Sequence, residues 1–440
     1  MCKESYRAVV VGAVGGGSGT VGVLCVALLW VGFVASGSQA VRVNEKGASA
    51  EAVVEPRASA PTWYVVPSPK GSSNPSVQVG LTAVSCASAN SCMAVGQQAR
   101  VCVGRVPHSE CFSKTITELW NGARWSLLPS PNERSVGGST DDSLSGVSCA
   151  AAHACVAVGS SGVLTDNSYV GPLIESWDGR TWSIVRGPHE RNGSTSSLRA
   201  VTCVSRGACT AVGSLITGSG LTKTLVEHWD GKMWSVVPSP NALSWRARVP
   251  QGEFYGVSCT SASSCTAVGW VGTTLIEHWD GKTWSVVPSP NAALGPSPDP
   301  VDRVDDQLNG VSCPSTSYCV AVGTAVGVSG PSNRAIVESW NGLAWSLTPN
   351  PSVGSGSSVN GVSCMSQRSC TAVGSIGSKP LIESWDGTRW FVEPESNRWP
   401  TAPGFASRGV DVSLVSVSCS PTGACMAIGS DGGLIVAESY

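Results

Sequence analysis

From residue 62 onward the chain is a succession of short apolar runs broken by single polar positions and by glycine. Leu275-Ile276-Glu277-His278-Trp279 and Trp284-Ser285-Val286-Val287 are typical, rich in β-branched and aromatic residues, and such runs predict strands. Asp280-Gly281 lies between them. Asp-Gly supplies positive φ angles, so a tight two-residue hairpin turn is expected there. The runs Gly256-Val257-Ser258-Cys259 and Cys265-Thr266-Ala267-Val268-Gly269 predict two further strands. No stretch beyond residue 40 carries helical periodicity.

This four-strand unit recurs. Its first signature, Val-Ser/Thr-Cys, five residues, then Cys-x-Ala-Val/Ile-Gly, places cysteines at 86/92, 149/155, 203/209, 259/265, 313/319, 364/370 and 419/425. First cysteines follow one another at intervals of 63, 54, 56, 54, 51 and 55 residues. The second signature, Glu-x-Trp-Asp/Asn-Gly-x-x-Trp, has tryptophans at 120/125, 177/182, 229/234, 279/284, 340/345 and 385/390. A last copy starts at Leu434 and stops at Tyr440, and its second half matches Thr62-Trp63-Tyr64-Val65-Val66-Pro67. Fixed periods of this size belong to solenoids or propellers. A repeat split between the two ends favours a closed ring. The expected fold is therefore all-β, a seven-bladed β-propeller in which the N-terminal strand completes the C-terminal blade. The expected organisation is a signal or anchor over 1–40, a flexible linker over 41–61 and the propeller over 62–440.

The paired motifs resemble those of secreted propeller repeat proteins of actinobacterial type, most of which have no assigned function. A looser likeness is to the Asp-box of sialidase-type propellers. Ser176-Trp177-Asp178-Gly179-Arg180-Thr181-Trp182 lacks the residue that box places between Asp and Gly. In that family the box is a structural turn, so the likeness does not imply an enzyme.

Charge narrows the function classes. Of 440 residues only 13% are charged and the net charge is −2, so no basic field is present to attract nucleic acid. The chain has 18 cysteines. Beyond Cys2 and Cys25 they form the seven repeat pairs plus Cys102/Cys111, with none left over. Zinc needs four ligands close together, which two cysteines per unit do not supply. Disulfides are expected, and with them an extracytoplasmic address. Lys3 and Arg7 precede an uncharged stretch from Ala8 to Gln39. Ser38-Gln39-Ala40 offers small residues for signal cleavage, and the stretch is also long enough to span a bilayer. Both readings leave the propeller outside, either secreted or held to the outer face of the membrane.

Residues repeated in every unit are expected to hold the scaffold. That assigns structural roles to Glu118, Glu175, Glu227, Glu277, Glu338, Glu383 and Glu438, and makes the motif tryptophans apolar fillers between blades. His228 and His278, at a position that is Ser in four other copies, are expected to be tolerated variants. Asp299, Asp302, Asp305 and Asp306 offer oxygen donors but lack the Asp-x-Asp-x-Asp-Gly pattern, and read as a solvated loop. The Gln97–Lys114 insertion, with Cys102, Cys111 and His108, is either a recognition finger or a stapled loop. No cofactor and no metal is expected.

Two loops per unit are short and constant, while the other two vary in length, so binding is expected on the variable face. Singular aromatic and arginine residues fall there: Trp245, Arg246, Arg248, Phe254, Tyr255, Trp270 and Trp399. Such groups suit carbohydrate stacking or a protein hot spot, and equally the packing of long loops. The expected function is a non-catalytic, monomeric binding or scaffold protein for a glycan, cell-wall polymer or protein. The alternative is a propeller glycoside hydrolase or lyase whose carboxylates come from distant loops.

Overall fold

The computed structural model describes residues 62–69, 78–103, 110–133, 140–163, 170–188, 194–241, 251–291, 306–325, 333–351, 356–393, 413–429 and 435–439. At 62, 78, 99–103, 110–112, 163 and 435–439 only the backbone is described. All lie in the compact unit Ala60–Tyr440. The N-terminal segment, with its signal or anchor reading, lies outside the described residues, among which no helix is long and apolar enough to cross a membrane.

The fold is an all-β β-propeller. The described residues form seven four-stranded antiparallel sheets. Six are contiguous, over 78–128, 140–184, 195–236, 253–286, 307–347 and 357–392, and are numbered first to sixth. The seventh takes Leu414–Cys419, Cys425–Gly429 and Ile435–Ser439, and its outer strand is Thr62–Val66. Trp63 there stands opposite Glu438 and Val66 opposite Ile435. The first strands of consecutive sheets lie against one another in a single cycle, from 78–88 through each sheet in turn to 414–419 and back.

The motif glycines follow from close approach. A Cβ on Gly269 would lie 1.9 Å from the Glu253 carbonyl oxygen, at a register shift between Phe254 and Gly256. A Cβ on Gly256 would lie 3.0 Å from the Gly310 Cα of the next sheet. Larger residues at either position would push the inner strands apart.

The turns differ from expectation. Asp280-Gly281 does not make a two-residue turn, because four residues separate Trp279 from Trp284, which face each other directly. The Asp280 carboxylate accepts the Lys282 and Thr283 N–H groups at 2.8 Å, and Gly281 takes φ 92°. A side-chain acceptor thus stabilises a longer loop. Its backbone donors hold Asp178, Asp230, Asp280 and Asp386 below the usual carboxylate range, with the Thr388 hydroxyl the largest cause at Asp386. The tight turn lies beyond the cysteines, where Ser261 pairs with Ser264.

Seven disulfides join Cys86–Cys92, Cys149–Cys155, Cys203–Cys209, Cys259–Cys265, Cys313–Cys319, Cys364–Cys370 and Cys419–Cys425. Cys102 and Cys111 stand opposite each other in the backbone register, and their side chains lie outside the described set.

Candidate functional site

Two sets of hydrogen bonds join one sheet to the next. The inner set uses the motif serine, whose hydroxyl accepts the N–H of the first motif cysteine of the following sheet. It runs from Ser85 to Cys149, Ser148 to Cys203, Ser258 to Cys313, Ser312 to Cys364 and Ser363 to Cys419, then from Ser418 to Cys86 at 2.9 Å. In the third sheet Thr202 replaces the serine and makes no such bond among the described residues.

The outer set uses the repeated glutamates. Ser68, Ser130, Ser239 and Ser289, each following the outer strand of one sheet, donate to Glu118, Glu175, Glu277 and Glu338 of the next at 2.8–3.0 Å. A threonine and an asparagine buttress the serine. Thr224 Oγ1 lies 2.7 Å from Ser239 Oγ, and the Asn241 side-chain oxygen accepts the Thr224 N–H. Room for the carboxyl comes from the motif alanine, since Ala267 faces Glu277 and is fully buried.

These glutamates are at most 1% exposed. Burial pushes Glu118, Glu277 and Glu338 up to about 7, against a smaller lowering by the serine hydroxyl, and Glu175 up to about 8. Such values suit a general acid. The geometry instead assigns these carboxyls to the joints between sheets, out of reach of a substrate.

One joint is different. Where the seventh, first, third and fourth sheets carry the serine, the second carries Gly187, and neither Glu227 oxygen has a hydrogen-bond partner among the described residues. Burial pushes Glu227 up to about 8. Two further buried acids, which the sequence pattern does not mark as structural, lie in other joints, beside Glu175 and Glu338. Asp142 is fully buried and Asp306 is 2% exposed, and their charges raise Glu175 and Glu338 respectively. Asp306 is therefore not in a solvated loop. Asp299, Asp302 and Asp305 lie outside the described residues.

The tryptophans divide into two classes. The second of each motif pair fills the space between sheets, as Trp284 does at 6% exposure against Val212 and Val226 of the third sheet. The first is half-buried in most sheets and, in every contiguous sheet but the second, donates its indole N–H to a carbonyl near the tight turn. That of Trp279 donates to the Ala262 carbonyl at 3.2 Å, tying strand three to the tight turn.

Of the expected ligand-binding residues, Trp245, Arg246, Arg248 and Trp399 lie outside the described residues. Phe254 is a correction. It is fully buried, its ring centroid 6.4 Å from that of Trp284, because the inner strand turns it into the core. Trp270 ends a strand rather than lying in a loop, opposite Glu253 and Thr274. Tyr255 is half-buried in the inner strand, and burial with the Glu253 charge pushes its phenol up to about 12. Trp270, Glu253 and Tyr255 thus gather at the long-loop end of the fourth sheet. His228 bonds Thr210 across its sheet at 3.2 Å. No group of three or more potential metal ligands occurs among the described residues.

No family model matches the chain and no curated protein matches it. Solved structures match across 86% of the chain. One is YCF48 bound to a D1 peptide, at 12% identity and TM-score 0.50, with 95% of that chain covered. Another is the WD40 β-propeller domain of Doa1, at 11% identity and TM-score 0.50, with 97% covered. At these identities the likeness shows the fold alone.

Proposed function

We propose that this protein is an exported, non-catalytic binding or scaffold propeller, a closed seven-bladed ring that takes its partner on the long-loop face. The observation that carries the reading is the contrast between the two faces. On one, tight turns tied by disulfides and tryptophan N–H groups repeat from sheet to sheet. On the other, the connections range from the two residues 377–378 to the much longer 393–413. A rigid scaffold with individual loops is the usual arrangement for recognition.

Seven disulfides support an oxidising compartment, and the apolar stretch after Lys3 and Arg7 supports export. YCF48, of the same fold, is seen bound to a D1 peptide, which supports a protein segment as one class of partner beside glycan or cell-wall polymer. Trp245, Arg246, Arg248, Trp270 and Trp399 are the proposed contacts.

A peptide and glycan array probed with the Ala60–Tyr440 unit tests the reading. The expected result is selective capture that falls roughly thirtyfold in the double variant Trp245→Ala, Trp270→Ala, as for aromatic hot spots, at an unchanged melting temperature. Capture that survives in a destabilised variant would assign those tryptophans to packing instead.

A further inference from the structure

Each sheet presents to its successor a row of side chains that starts at the motif serine. In the fourth sheet the row is Ser258, Thr266, His278 and Ser285, opposite one another on successive strands. Elsewhere the second position is apolar, as with Met93, Val156, Val320 and Met426, or it is engaged, as Thr210 is with His228.

Between the fourth and fifth sheets this row lines a cavity of about 180 Å³. The far wall is Trp340, Trp345 and the Cys313–Cys319 disulfide, and the cavity reaches the tight turns at Ser264 and Thr316. Thr266 is 7% exposed, yet its hydroxyl makes no hydrogen bond to a described residue, and neither does the His278 ring. The Thr266 hydroxyl stands open to the cavity, where it can donate to and accept from a ligand. The Trp340 N–H is engaged by the Thr316 carbonyl at 3.2 Å, so that ring offers its carbon surface. No Asp, Glu, Lys or Arg lines the cavity.

We propose that this crevice is a binding site for a single uncharged sugar ring. One wall offers hydroxyls and an imidazole that both donate and accept. The other offers an indole and apolar surface. A pyranose has the matching halves, a hydroxyl-bearing edge and a C–H face. A charged ligand finds no counter-charge and loses its hydration on entry. The volume is below the ~300 Å³ at which drug-sized sites begin, which limits the ligand to one ring, free or terminal on a longer chain. The site opens at the tight-turn face and is independent of recognition by the long loops.

The test is titration of the full chain with methyl glycosides of glucose, galactose, mannose and N-acetylglucosamine, followed by NMR of labelled histidine rings. At least one glycoside should move the His278 ring signals saturably in the millimolar range and leave those of His228 in place. Thr266→Val should weaken binding about fivefold, the worth of one hydrogen bond. Thr266→Met inserts the residue that the first and seventh sheets carry there, and should abolish binding without lowering the melting temperature. If no glycoside saturates below about 50 mM, or if binding persists in Thr266→Met, the proposal is overturned.

Discussion

The backbone N–H of Cys86 donates to the hydroxyl of Ser418, 332 residues away in the chain, at 2.9 Å. The bond belongs to a series, and its equivalents join the other consecutive sheets, the third and fourth excepted, at separations of 52–64 residues. Ser68 of the N-terminal segment meets Glu118 in the same way that Ser239 meets Glu277. Both sets of bonds thus treat the junction between the seventh and first sheets as an ordinary joint.

The joint between the second and third sheets lacks its serine. A Cβ at Gly187 would sit 3.4 Å from Glu227 Oε2 and 3.1 Å from Ile174 Cδ1, so a hydroxyl placed there can reach the carboxyl. Gly187→Ser should therefore stabilise the fold by about 1 kcal/mol, the net worth of a typical hydrogen bond. Ser239→Ala, which strips Glu277 of its donor, should cost about 1–3 kcal/mol. Urea denaturation midpoints check both, and a neutral Ser239→Ala would remove the serine–glutamate bond from the account.

Buried glutamates make stability depend on pH. Glu118, Glu277 and Glu338 at about 7, and Glu175 and Glu227 at about 8, lie above the ordinary 4.5. The folded chain therefore keeps protons that the unfolded chain releases. Their contribution is full below the unfolded value and is lost as pH rises through 7 and 8. The turn aspartates, held low, act oppositely and lose their contribution in stronger acid. Melting temperature should peak near about pH 5 and fall toward pH 8. A flat or rising profile over that interval would show that the glutamates are ionised in the folded ring.

The two tryptophan classes predict different losses. Trp284→Ala opens a cavity between sheets and should cost about 3–5 kcal/mol. Trp279→Ala removes a hydrogen bond and a half-buried ring and should cost less, about 1–2 kcal/mol. Equal losses in chemical denaturation would contradict the division.

Strands and sheet boundaries were legible because the cysteine and tryptophan motifs repeat with fixed spacing, and Thr62–Val66 reads as the missing half of the last unit. The glutamates were legible as structural because one stands in each unit. Their serine partners were not, since Ser239 and Glu277 belong to different sheets and no single repeat pairs them. Phe254 was misread because the bulge beside it turns the inner strand, which alternation alone does not reveal. The Thr266–His278 crevice was hidden for a related reason. His278 looked like a neutral variant of serine, and only the facing Trp340 and Trp345 of the fifth sheet make a cavity of it.

The central claim is closure of the ring by the N-terminal strand. Removing 62–69 deletes the outer strand of the seventh sheet and the donor to Glu118, and leaves an open sheet edge that invites aggregation. Removing 41–58 touches neither. The most direct measurement is the melting temperature and sedimentation of these two deletions beside the intact chain. The account predicts that the 41–58 deletion matches the intact chain, while the 62–69 deletion melts well below it and self-associates. Two deletions that melt alike and stay monomeric would contradict it.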